Sequence, residues 1–170
     1  MFTEVLSQKQ LTGATRTVLV VEADPQLRKS MSVQFERMKF HVLSASHYDG
    51  AVHHLASADL HVVCVDVQLP SKSGYELCEH IRGSLGLVEL PILMTSEYGS
   101  PEEMAYAERA GGNAFLHKPF SMRQLANCIE SLLRPTDWNS PPVHELQLPA
   151  STAVRSAPRI GAKGVGAIAA

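Results

Sequence analysis

An open α/β sheet, with parallel strands and helices on both faces, is the fold class this chain predicts. Three observations carry that prediction. Short apolar runs recur five times along the 170 residues. At least three are continuously apolar rather than alternating, as strands covered on both faces are. Between them lie segments with apolar residues at helical spacing, so β and α units alternate.

The first run, TVLVV (17–21), stops in VVEADP, where two acids surround an alanine. Asp24 can cap a helix there and Pro25 can take its first position, which puts Leu27, Met31, Phe35 and Met38 on one face. FHVLSA (40–45) is the second strand, and a weaker helix over about 48–56 joins it to the third, HVVCVDV (61–67). Tyr75, Cys78 and Ile81 mark the next helix, and PILMT (91–95) the fourth strand. Met104, Ala107 and Ala110 share a helix face that AGG terminates. AFLH (114–117) is the last strand, and Met122, Leu125, Ile129 and Leu132 mark the last helix.

Composition narrows what surrounds these elements. Hydrophobic residues reach 45% against 19% charged, which supports a packed core. A formal charge of −2 offers no nucleic-acid or membrane surface. No apolar run approaches the roughly 20 residues of a membrane helix. The start, MFTEVLSQKQLTGATRT, has no basic stretch followed by an apolar one, so no signal peptide is expected. Cys64, Cys78 and Cys128 are odd in number and form no C-x-x-C, which fits buried thiols in a reducing cytoplasm.

Residues 1–15 read as a flexible N-terminal extension, 16–134 as the one domain, and 135–170 as a disordered tail rich in Pro, Ala, Ser and Gly. Arg155, Arg159 and Lys163 read as solvated charges of that tail rather than as contacts for an acidic partner. His41, His47, His53, His54 and His61 show no zinc-ligand spacing with cysteine, so they are expected on surfaces and helix flanks.

In open parallel sheets, ligands bind beyond the carboxyl ends of the strands. At those ends stand Glu22 and Asp24, Asp66, Thr95 and Ser96, and Lys118 before Pro119. Carboxylates, a hydroxyl and an ammonium would converge there. A cation between carboxylates, together with a lysine, suits an anion such as phosphoryl.

VVCVDVQLPSKSGYELCEHIR, with PILMTSEYGSPEEMAYAERAGGNAFLHKPF, resembles the receiver domain of bacterial two-component response regulators over residues 16–134. The separations from Asp66 to Ser96 (30) and to Lys118 (52), the D-x-x-x-P motif, Gly74 and Lys-Pro-Phe all follow that family's pattern. The resemblance implies a flavodoxin-like (βα)5 sandwich, a three-layer fold whose five-stranded parallel sheet has the order 2-1-3-4-5. Asp66 would be the phosphoacceptor, forming an acyl phosphate. Lys118 would pair with Asp66 and neutralise phosphoryl oxygens, and its bond to Pro119 would be the family's cis peptide. Ser96 would hydrogen-bond the phosphoryl group. Phe115 holds the aromatic switch position and, lacking a phenolic group, would report only by packing. Thr95 should point into the sheet interior by strand alternation.

The implied cofactor is Mg2+, with Asp66, the backbone carbonyl of Gln68 and, through water, Glu22 as its ligands. Two residues depart from the family pattern. Ala23 stands where the second of two adjacent acids is the direct metal ligand. Asp24 is the stand-in, but its place before Pro25 commits it to the helix cap, so a weakened magnesium site is expected. Glu97 stands where a small residue is common; it either narrows access to the site or swings into solvent.

Three functions follow from these residues. The first is a signalling receiver, not a turnover enzyme. It takes a phosphoryl group on Asp66 from a histidine kinase or phosphotransfer protein. It then changes its affinity for a protein partner at the face made by helix 4, strand 5 and helix 5. No helix-turn-helix pattern follows Arg134, so contact with nucleic acid is not expected, nor with membrane. The second, motivated by Ala23 and Glu97, is a pseudo-receiver that binds partners without phosphorylation. The third, an aspartate-nucleophile phosphatase of the haloacid dehalogenase type, needs a second Asp where this chain has Gln68, and is set aside.

Overall fold

Strand β1 (Thr17–Val21) is almost wholly buried, because a β-branched run with no polar interruption can be covered on both faces. The structure, a computed structural model, describes residues 15–134; the expected extension and tail lie outside the described residues, Thr15 excepted. After β1 come α1 (Pro25–Arg37), β2 (His41–Ala45), α2 (Tyr48–Ser57) and β3 (Val62–Asp66). Then follow α3 (Gly74–Glu79), β4 (Ile92–Ser96), α4 (Pro101–Arg109), β5 (Ala114–His117) and α5 (Met122–Leu132). The strands form one parallel sheet in the order β2-β1-β3-β4-β5, as expected.

Each strand sends alternate residues into two separate cores. Leu19, Val21, Val63, Val65, Ile92 and Met94 pack with Leu55, Leu77 and Ile81 on one face. Val18, Val20, Val62, Cys64 and Leu93 pack with Met31, Phe35, Leu125 and Ile129 of α1 and α5 on the other.

Helix starts follow the chemistry of their first residues. Asp24 accepts a hydrogen bond from the Leu27 N–H, and Ser73, Ser100 and Ser121 cap α3, α4 and α5. Past Glu79 the helix widens into a π turn over His80–Ser84. That turn aims Arg82 at the far loops. Its guanidinium donates to the carbonyls of Leu87, Leu90 and Gly111 and to Asn113 Oδ1.

Removing the residues after Arg134 is expected to leave the melting temperature within a few degrees, the scale of about 1 kcal/mol for a domain of this size. Thermal scans of full-length and shortened chains check this. A much larger drop would show that Trp138, Leu146 or Leu148 packs on the domain.

Candidate functional site

The carboxyl edge of the sheet gathers Glu22, Asp66 and Lys118 from three different strand ends. Alternation along β1, β3 and β5 sends their even-numbered residues toward the α1/α5 core, and these three positions continue that series over the edge. Lys118 Nζ lies 2.8 Å from Glu22 Oε2 and 3.0 Å from Asp66 Oδ2. All three groups are shielded, with Glu22 1% and Asp66 4% exposed. The Lys118–Pro119 bond is cis, as expected.

Backbone amides complete the cage. Asp66 Oδ1 accepts from the Gln68 N–H at 3.2 Å, and Glu22 Oε1 from the Asp24 N–H at 3.0 Å. The Arg28 guanidinium donates to the carbonyls of Glu22 (2.6 Å) and Ala23 (3.1 Å), fixing the β1–α1 loop from the helix side. Beneath Asp66, a side chain at position 74 would place its Cβ 2.2 Å from the Asp66 carbonyl oxygen, so only glycine lets α3 start this close.

Burial pushes the Asp66 carboxyl above its ordinary range; Lys118 opposes this, and the Glu22 charge adds to it. Burial also pulls the Lys118 ammonium down, but hydrogen bonds and charges from Glu22 and Asp66 reverse this and leave it raised. The ammonium therefore stays charged between two carboxylates.

Ser96 and Phe115 belong to the opposite side of the sheet edge. Ser96 is fully buried, and its Oγ accepts from the Tyr98 N–H at 3.1 Å. Phe115 is half-buried against the core of α2, α3 and α4. Tyr75 on α3 donates to the Glu103 carboxylate on α4, and its ring meets Tyr106 edge-on at 4.5 Å. Glu97 is exposed and, with Leu27, Lys118, Pro119 and Phe120, lines an open cleft of about 450 Å³. Glu97 is therefore both exposed and part of the cleft wall beside Lys118.

Thr95 is fully buried, as expected, and pairs with Asp66 in register. Its Oγ1 has no hydrogen-bond partner. A buried hydroxyl without a partner costs about 1–3 kcal/mol. Thr95→Val is therefore expected to leave the melting temperature unchanged or raise it, which a thermal scan reads directly.

The residues present do not fit a ready-made divalent site. Asp24 is exposed and spends Oδ1 on the Leu27 N–H, so it caps the helix as expected. No group of three or more His, Cys, Asp or Glu among the described residues is placed to hold a metal ion. Sequence reasoning assigned Glu22 to a metal through water and missed its direct pairing with Lys118. The Arg28 contacts were missed as well; an arginine five residues past an alanine carries no sequence signal for carbonyl binding.

Residues 18–130 match the response regulator receiver domain. The chain belongs to this family. Its relatives include the transcriptional regulatory protein GltR of Pseudomonas aeruginosa, 30% identical over 70% of this chain and 49% of its own length. The phosphate regulon transcriptional regulatory protein PhoB of Escherichia coli is 27% identical over 70% of this chain and 52% of its own. The chain thus spans about half the length of these curated relatives. The structure of the chemotaxis response regulator CheY4 of Vibrio cholerae superposes with a TM-score of 0.68 at 25% identity, covering 71% of this chain and all of that one. No helix among the described residues of the receiver is long and apolar enough to cross a membrane.

Proposed function

We propose that this receiver accepts a phosphoryl group on Asp66 from a histidine kinase or phosphotransfer protein and changes its affinity for a protein partner. The observation that supports this best is the shielded Asp66–Lys118 pair at the carboxyl edge of the sheet. An Asp66 oxygen attacks the phosphorus of a phosphohistidine. The O–P bond forms as the P–N bond breaks, and the histidine nitrogen leaves with the electron pair. Lys118 offsets the charge on the phosphoryl oxygens. Ser96 leaves the Tyr98 N–H to meet the phosphoryl group, and Phe115 repacks against α4, altering the face of α4, β5 and α5.

Magnesium binding is general in the family and is weak in this chain. The oxygens left for it are those of Asp66, the Gln68 carbonyl and, through water, Glu22. Three buried free thiols suit a reducing compartment such as the cytoplasm.

Intact-mass measurement after acetyl phosphate or kinase treatment tests the proposal. A phosphoryl adduct is expected in wild type and none in Asp66→Asn. No adduct from either donor would overturn it and leave the second reading, a pseudo-receiver that binds partners unmodified, which Ala23 favours.

A further inference from the structure

We propose that Lys118 is the resident cation of this site, holding Glu22 and Asp66 in competition with magnesium rather than beside it. Ala23 offers no carboxylate, and the acids and loop carbonyls around it already have protein partners. Glu22 spends Oε2 on Lys118 and Oε1 on the Asp24 N–H. Asp66 spends Oδ2 on Lys118 and Oδ1 on the Gln68 N–H. The loop carbonyls of Glu22 and Ala23 are taken by Arg28. Lys118 thus sits on one oxygen of each acid, and Arg28 on the loop carbonyls beside them.

Charge decides the competition. Two buried carboxylates matched by one ammonium leave a single negative charge, which holds a divalent ion poorly. A third carboxylate at 23 would leave two, enough to favour the metal and release the lysine. Magnesium also demands near-octahedral oxygens and gives up its water reluctantly, whereas an ammonium needs only acceptors for its three donors. Glu22 then acts as a positioning residue for Lys118, keeping the ammonium at the sheet edge whatever the state of Asp66.

Calorimetric titration of Mg2+ into the unmodified protein tests this. Wild type is expected to bind with a Kd of roughly millimolar or weaker. Lys118→Met is expected to bind at least tenfold tighter, with a melting temperature that Mg2+ raises while leaving that of wild type unchanged. Lys118→Gln, which keeps a donor for Glu22, should show the same order and serves if the methionine variant does not fold. Equal or weaker binding in these variants overturns the proposal, as does micromolar binding by wild type. No phosphodonor enters the titration, so this inference and the proposed phosphorylation can each fail alone.

Discussion

Lys118→Met is expected to lower stability at neutral pH by about 3–5 kcal/mol, the usual result of leaving buried charge without its partner. Glu22 and Asp66 are both shielded from water and share this one ammonium. For a domain of this size the loss corresponds to roughly 10–20 °C in melting temperature. Its pH dependence identifies the cause. Lys118 has a folded pKa raised above its ordinary value, so its contribution is fully present below the lysine range and is lost as pH rises through the folded value. At the alkaline end, wild type and variant therefore converge only above the lysine range. Asp66 is also raised, by burial first, so its contribution is present below the ordinary carboxylate range and lost as pH rises. Without the opposing lysine that loss grows, and the variant should gain more than wild type on acidification toward pH 4. Denaturant melts across pH 4–8 check it; a variant equally destabilised at every pH would point to lost packing instead.

Ala23→Asp is expected to tighten Mg2+ binding by about 1–3 kcal/mol, or roughly 5- to 150-fold, by analogy with other charge-assisted contacts. Because Asp24 is engaged as the cap of α1, it gives no existing ligand for the new acid to duplicate. The variant should also speed Asp66 phosphorylation at fixed donor concentration. Magnesium titrations of both proteins, followed by phosphorylation time courses, decide it. Equal affinities would mean that Asp24 leaves its cap to ligate, and that the alanine changes nothing.

The contrast between these two positions shows how far the sequence could be read. Asp66 and Lys118 were legible because each ends an apolar strand at a spacing the family shares. The partnership of Glu22 with Lys118 was not. Their strands lie apart in the sheet, with β3 and β4 between them, and only the length of a lysine joins the ends. No pattern along the chain records such a reach. Strand ends were legible within a residue, and so was the cap of α1, since VVEADP names it; the serine caps of α3, α4 and α5 were not read. The π turn at His80–Ser84 was not, because its spacing leaves no periodic apolar signature. Its Arg82 contacts depend on loops brought near only by folding.

The two-sided packing of the sheet has a consequence for how this receiver can diverge. Glu22, Asp66 and Lys118 rest on the layer of α1 and α5, whereas Phe115 rests on the layer of α2, α3 and α4. The strands between them are a partition crossed by backbone, not by side chains. Met31, Phe35 and Leu125 pack on the same face of the sheet as the acidic edge and are separated from Phe115 by the strands. Changes on the α2, α3 and α4 layer can therefore accumulate with little effect on the acidic edge, whereas α5, which packs beneath that edge and borders β5, is free to vary least.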